Sequence, residues 1–407
     1  MIKVLAVASE IYCENLQSDA ITGLSVMVRD IYNEVSKEYD SYLFSSRYNL
    51  CKEDISPTLH IVDSRIDHWK RNVKLIDLFK AVVYFPFGLK RIKKIIRESA
   101  LLRTQINAFE YYLNTIKPDV INFHEFDNLN TILLQKCMER KIKCVITNHL
   151  YIGNSHGCSN YTNIRKNERI ILNLNNVNVS VICSGMKKRM LADYSSLSAK
   201  NVFLTMNGTS FAQSTSSSNS MFFSNTLVPE KKIILCIGNV MERKNQTQLI
   251  RAVSKMKKDE RRQFVIYFLG SDPKGILLKT IQNLKCEDVC VYKGKVRTDE
   301  ICDYYQRAFA VITTTFCEGF GLTIIEGYSY GKPAIIPYDI DSFSDLYSPD
   351  CSISINGRED NDICNAILSC ISKNWDSKTI IKKSQTYSMK KCGESYINMY
   401  NKILQNK

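Results

Sequence analysis

Short apolar runs alternate with amphipathic stretches along most of this chain. Residues 2–8 (IKVLAVA), 41–45, 59–62, 119–124 (DVINFH), 143–148 (KCVITN), 177–184 (VNVSVICS) and 201–208 (NVFLTMNG) read as strands of a first half. Residues 232–238 (KIILCIG), 264–270, 289–294 and 309–313 (FAVIT) read as strands of a second. Between them lie helical patterns, the clearest being Leu24, Met27, Val28, Ile31 and Val35 near the start and Tyr396, Met399, Tyr400, Ile403 and Leu404 at the end. Strands that alternate with helices predict an α/β fold with parallel sheets. Residues 210–230 (SFAQSTSSSNSMFFSNTLVPE) are serine-rich and lack any period, which suits a linker between two domains.

Size agrees with that division, since 407 residues exceed one ordinary core and suit two domains of roughly 200. The first apolar run is broken by Ser9 and Glu10, so it reads as a strand and not a secretion signal. The apolar stretch 81–89 falls far short of the ~20 residues a membrane-spanning helix needs. A soluble or peripheral protein is expected. Fifteen cysteines are scattered without a CxxC pair or a zinc-type histidine cluster, as reduced core thiols in the cytosol would be.

A net charge of +14 asks for an anionic partner. No helix-turn-helix, zinc-finger or RNP-type signature points to nucleic acid. Instead the cations Arg65, Lys70, Arg71, Lys74, Lys80, Lys90, Arg91, Lys93, Lys94 and Arg97 crowd one segment, facing only Asp67 and Asp77. Trp69, Phe79, Phe85 and Phe87 are interleaved with them. That mixture fits an anionic membrane surface, the inner face of a plasma membrane, and it equally fits a solvated helical face whose apolar side packs on the domain.

The candidate chemistry centres on FCEGFGLTIIEGYSYGKP, residues 316–333. Glu318 precedes Gly319, Phe320 and Gly321, a helix is expected from Leu322 through Ile325 and Glu326, and Gly331 and Pro333 end it. A glycine loop entering a helix lets backbone amides approach a phosphate, and the two carboxylates can accept hydrogen bonds from sugar hydroxyls. Arg243 and Lys244 fall at another expected helix start, where they suit a diphosphate. His124 and His149 end strands, where ligands collect in open α/β sheets. Asp339 and Asp341 form a D-x-D, but three-residue matches are common and this one lies in an expected loop, so no metal is assigned to it.

The spacing EGFGLTIIE resembles the E-x7-E signature of retaining, GT-B-fold glycosyltransferases of family 4, and GKPAII resembles the G-x-P-V-I strand that follows it there. TNH, ending at His149, is similar to that family's T-x-H, and GNVMERKN to its G-R-x-x-x-x-K-G, with Asn239 in place of Arg and Asn245 in place of Gly. Gly23 stands where the family has a Gly-Gly pair, and DSFSD replaces Gly-Gly-x-x-E. The resemblance implies two Rossmann-like domains facing across a cleft: residues 1–209 on the acceptor side, a linker 210–230, a nucleotide-sugar domain 231–385, and a last helix in 386–407 crossing back.

It further implies transfer of a sugar from a UDP- or GDP-linked donor to a glycan or lipid-linked hydroxyl, as in capsule or lipopolysaccharide synthesis, with no cofactor and no metal. Glu318 and His149 would serve the transferred sugar and its reacting carbon. Arg243 and Lys244 would hold the diphosphate, Glu326 the ribose, and Gly319, Phe320, Gly321, Leu322 and Thr323 the rest of the donor, with Gly23 at the acceptor or phosphate loop. A phosphorylase, an epimerase, or a non-catalytic nucleotide-sugar sensor or partner subunit are the alternative readings.

Overall fold

A computed structural model describes residues 1–9, 11–12, 23–46, 53–62, 73–77, 89–153, 162–210, 231–297 and 300–405. Residues 211–230 of the expected linker 210–230 and most of the basic segment, with Trp69, Phe79, Phe85, Phe87, Lys90 and Arg91, lie outside the described residues and side chains.

The first half contains β1 (Lys3–Ala8), α1 (Gly23–Val35), β2 (Asp40–Ser45), β3 (Glu53–Ser56), β4 (Leu59–Val62), α2 (Leu89–Ile116), β5 (Val120–His124), α3 (Asn128–Glu139), β6 (Cys144–Asn148), α4 (Thr162–Leu172), β7 (Val179–Val181), α5 (Ser184–Asp193) and β8 (Val202–Leu204). Its eight-stranded sheet has the order β3-β4-β2-β1-β5-β6-β7-β8. Among the described strands, only β3 runs antiparallel to its neighbour.

The second half contains β9 (Lys232–Ile237), α6 (Gln246–Ser254), α7 (Lys258–Arg261), β10 (Phe264–Leu269), α8 (Ile276–Asn283), β11 (Cys290–Gly294), α9 (Ile301–Arg307), β12 (Ala310–Ile312), α10 (Leu322–Ser329), β13 (Ala334–Pro337), α11 (Phe343–Leu346), β14 (Ser352–Ile355), α12 (Asp360–Ser372), α13 (Ser377–Ser384) and α14 (Met389–Gln405). Six parallel strands form its sheet in the order β11-β10-β9-β12-β13-β14. Strand order reverses between β1 and β5 in one sheet and between β9 and β12 in the other. Crevices at such reversals, beyond the strand carboxyl ends, are where open α/β sheets take ligands.

The apolar stripes pack as their spacing demands. Met27, Val28, Ile31, Tyr32 and Val35 of α1 are buried, and so are Tyr396, Met399, Tyr400 and Ile403 of α14. The last helix lies against α1 and the first sheet: Tyr39 donates to Asn401 at 2.6 Å, and Asn122 donates to Tyr400 at 2.9 Å. A Cβ on Gly393 would stand 2.4 Å from the Glu34 side chain, so the bare Cα permits this approach. Most of the described cysteines are buried free thiols.

Two details depart from the sequence expectation. The run 177–184 is strand only over Val179–Val181, and Ser184 opens α5 because Asp345, a residue of the other half, accepts its amide at 2.8 Å. In the basic segment, Asp77 is fully buried and paired with Arg103, while Lys93, Lys94 and Arg97 are exposed. Leu75 and Ile76 next to Asp77 are 83% and 58% exposed.

Candidate active site

In the second half the site is built on the loop that leaves β9. Gly238 (φ 143°) carries the chain into a 3-10 turn, Glu242–Lys244, and Asn245 then adopts a left-handed conformation at φ 52° before α6. Asparagine tolerates that conformation better than any other non-glycine residue, which explains why it can replace the glycine of the resembled motif. Asn239, in the position of the expected Arg, accepts from the Ser271 amide at 3.0 Å and ties the loop to β10. The turn is anchored to the next segment by Thr315 Oγ1 and the Phe316 amide, both donating to the Arg243 carbonyl at 2.8 Å.

These anchors bring Lys244 Nζ onto the Glu318 carboxylate, with Arg243 Nη1 3.9 Å from the same oxygen and 3.1 Å from the Cys317 carbonyl. Burial pushes the Glu318 carboxyl up, but the Lys244 ammonium, then Arg243 and the Gly319 amide, overcome it and hold the group below the usual glutamate range. Glu318 is an anion in a cationic corner. Gly321 (φ 94°) then turns the chain into α10. Leu322 and Thr323 occupy its first turn, where amides lack intrahelical acceptors. Phe320 is buried edge-on against Tyr387, at 5.6 Å between rings, so its ring belongs to the core and only its backbone faces the loop.

Glu326 lies one turn into α10 and accepts from Tyr305 Oη at 2.5 Å. Burial raises its carboxyl above the ordinary value, and the Tyr305 hydroxyl lowers it only in part. Tyr305 in turn stacks on Tyr330, with the rings 5.4 Å apart and nearly parallel. Nothing in the sequence marks Tyr305, which sits 21 residues from its partner on another helix.

In the first half, Ser9, His124, Glu125 and His149 gather at the ends of β1, β5 and β6. His124 Nδ1 is 2.9 Å from His149 Nε2, and Ser9 pairs with Glu125, a non-glycine residue at φ 79°. Asn130 satisfies that turn by donating to the His124 and Glu125 carbonyls at 2.6 and 3.2 Å. After His149, the amides of Ile152 and Gly153 donate to Glu168 at 2.9 and 3.0 Å, which fixes the following loop. Gly23, the first residue of α1, is exposed, and no atom lies within 4 Å of where a Cβ would be. Among the described residues, no contact requires a glycine there.

The two halves touch at this place. A Cβ on Gly319 would stand 2.0 Å from the His149 carbonyl oxygen, and one on Gly185 would stand 2.1 Å from the Asp341 carbonyl. Asp345 accepts from both the amide and the hydroxyl of Ser184, at 2.8 and 2.6 Å, and so caps α5 from the other half. Arg189 bridges Asp341 at 2.5 Å and the Tyr151 carbonyl at 2.7 Å, with its guanidinium over the Tyr151 ring. The DSFSD departure and the D-x-D therefore have a visible use: Asp345 and Asp341 join the halves, and Asp339 pairs with Arg358, whose Nε donates to it at 2.9 Å. Among the described residues, no group of three or more His, Cys, Asp or Glu side chains gathers as a metal-binding set.

Residues 217–384 match the family model described as glycosyl transferases group 1. No curated protein matches the chain. Among solved structures, sucrose-phosphate synthase from Thermosynechococcus elongatus aligns at a TM-score of 0.74 with 15% identity, covering 98% of both chains. HepE from Anabaena, in complex with UDP and glucose, aligns at 0.68 with 15% identity over 98% of this chain and 100% of its own. WaaG, a glycosyltransferase involved in lipopolysaccharide biosynthesis, aligns at 0.66 with 10% identity over 99% and 100%. At such identities these are likenesses of fold, and the fold is GT-B.

Proposed function

We propose that this chain is a retaining glycosyltransferase that moves a sugar from a UDP- or GDP-sugar to a hydroxyl of a glycan or lipid-linked acceptor in cell-surface polysaccharide or glycolipid synthesis. The observation that carries the reading is the cationic corner of Arg243 and Lys244 around Glu318, set at a strand-order reversal and closed by His149 from the opposite half. The group 1 match over residues 217–384 and the likeness to a fold that holds UDP and glucose in HepE support it.

Lys244 and Arg243 neutralise the diphosphate and the charge that develops on it as the bond to the sugar breaks. Glu318 and the amides from Gly319 to Thr323 hold the sugar and the donor phosphates, Glu326 accepts from the ribose diol, and His149 contacts the sugar near the reacting carbon. The departing phosphate helps deprotonate the acceptor hydroxyl on the same face, which retains configuration. Residues 1–209 present the acceptor, with Gly23 leaving room for a phosphate, and residues 231–385 hold the donor. On this reading the exposed Lys93, Lys94 and Arg97, with the exposed Leu75 and Ile76, would meet an anionic bilayer from the first half.

The test is a panel of UDP- and GDP-sugars with soluble glycans and with lipid-diphosphate acceptors in anionic vesicles, read by mass spectrometry of products. Transfer by the wild type and its loss in Glu318→Ala, which still binds free nucleotide, are expected; a variant with normal rates would move the site elsewhere. Transfer to soluble acceptors alone, with no cosedimentation at low salt, would remove the membrane.

Nucleotide affinity should also depend on pH through Glu326. A ribose diol donates to the ionised carboxylate, and burial raises this group's value in the fold above 4.5. Affinity therefore falls as the pH is lowered through the raised value. Glu326→Gln should bind more weakly at pH 7 and lose that slope; calorimetry giving the wild type a flat profile down to pH 4.5 would contradict the assignment.

A further inference from the structure

A neutral imidazole has one N–H and one lone pair, and which nitrogen carries the proton decides what the ring offers a ligand. For His149 that choice is made by a chain of buried hydrogen bonds reaching back to the last helix. Thr147 Oγ1 donates to Asn122 Oδ1 at 2.9 Å, which turns the Asn122 amide so that Nδ2 donates to Tyr400 Oη at 2.9 Å. Tyr400 then has its own proton left to place, and its other partner is Tyr32 Oη at 2.7 Å. Tyr32, having accepted, donates to His124 Nε2 at 3.3 Å. His124 Nε2 is thus a lone pair, its proton sits on Nδ1, and Nδ1 donates to His149 Nε2 at 2.9 Å across rings inclined by only 20°.

We infer that His124 is a positioning residue: this one-way chain from Thr147 through Asn122, Tyr400, Tyr32 and His124 fixes His149 as the Nδ1–H tautomer, so that it meets the sugar as a hydrogen-bond donor and not as a base. No side chain or carbonyl among the described residues pairs with His149 Nδ1. Burial keeps both rings neutral, holding His149 down to about 3 and His124, with His149 beside it, well below the usual histidine range. Burial likewise keeps the Tyr32 and Tyr400 hydroxyls protonated. Reversing the chain would leave the Tyr400 proton without an acceptor, or require Asn122 to turn its carbonyl to Tyr400. The tautomer is a property of the free protein, whereas its use against a sugar rests on the glycosyl-transfer reading above.

The experiment is long-range proton–nitrogen NMR on the full chain labelled with 15N-histidine, the His149 signals being assigned by their loss in His149→Gln. Without any ligand, His149 should show a protonated Nδ1 and a bare Nε2, and in Tyr400→Phe this should relax to a tautomer mixture. In transfer assays His124→Phe should lose about tenfold in kcat with the donor KM little changed, the worth of one neutral hydrogen bond. His124→Asn, whose amide N–H can take the place of Nδ1–H, should recover most of that. A wild-type His149 protonated on Nε2 would overturn the inference whatever the enzyme transfers. Wild-type NMR as expected with no transfer by any variant would instead overturn the glycosyl-transfer reading and leave the tautomer standing. Equal kcat in the Phe and Asn variants would overturn the positioning role.

Discussion

Lys244→Ala is expected to reduce turnover by about 10²- to 10³-fold, the usual cost of removing one group that stabilises charge developing in a transition state. Lys244 and Glu318 are 18% and 13% exposed, so neither is well served by water once its partner is gone. Arg243 is 3.9 Å from the carboxylate and already donates to the Cys317 carbonyl, so it does not replace the lost ammonium. Nucleotide affinity should fall by ~1.5–3 kcal/mol in calorimetry, as for loss of a charged hydrogen-bond partner.

Stability supplies an independent readout of the same substitution. The folded-state value of Glu318 lies below its ordinary 4.5, so the pair stabilises the fold above that pH, and this contribution disappears as the pH falls through the folded value. The gap in Tm between wild type and Lys244→Ala should therefore be widest near neutrality and close in acid. Equal affinity, equal turnover and parallel melting curves would together overturn the role given to Lys244.

Gly319→Ala and Gly185→Ala are expected to abolish most activity without unfolding either half. Their Cβ atoms would stand 2.0 Å from the His149 carbonyl and 2.1 Å from the Asp341 carbonyl, and in both cases the obstacle is backbone that cannot rotate away. The halves must separate by an ångström or more, and misplacement of that size costs about 10²-fold in rate. Gly185 lies away from the donor loop, so Gly185→Ala should bind nucleotide normally and fail only in transfer. Small-angle scattering should report a larger radius of gyration for both variants in the presence of donor. Wild-type rates in either would show that this juxtaposition of the halves is not the working one.

Much of this arrangement could be read along the chain. Continuous apolar runs mark residues 232–238, 264–270 and 309–313 as strands, and β9, β10 and β12 occupy them. The stripe from Tyr396 to Leu404 foretold a helix packed on a core, since Tyr396 and Tyr400 have no exposed face. For Gly319 the sequence suggests a bare Cα that admits a ligand, and the fold adds a second demand, since the carbonyl of His149 comes against it.

What escaped the sequence shares one property. Ser184 and Asp345 are 161 residues apart, Arg189 and Asp341 152, and His124 and Tyr32 92, so no periodicity or local motif links them. Each pair is chosen by the way two sheets face each other. Asn245 shows the opposite case, since its left-handed backbone is a local demand and the side chain that tolerates it is visible in the sequence.

The polar part of the seam between the halves has a kinetic corollary. Ser184, Asp345, Arg189 and Asp341 are each only partly enclosed, and water can serve all of them when the halves part. Opening therefore exchanges one set of hydrogen bonds for another of nearly equal worth. On the glycosyl-transfer reading, this polar part of the seam would yield readily to water as a spent nucleotide leaves and a fresh donor enters, while the carbonyls against Gly319 and Gly185 define a single closed register.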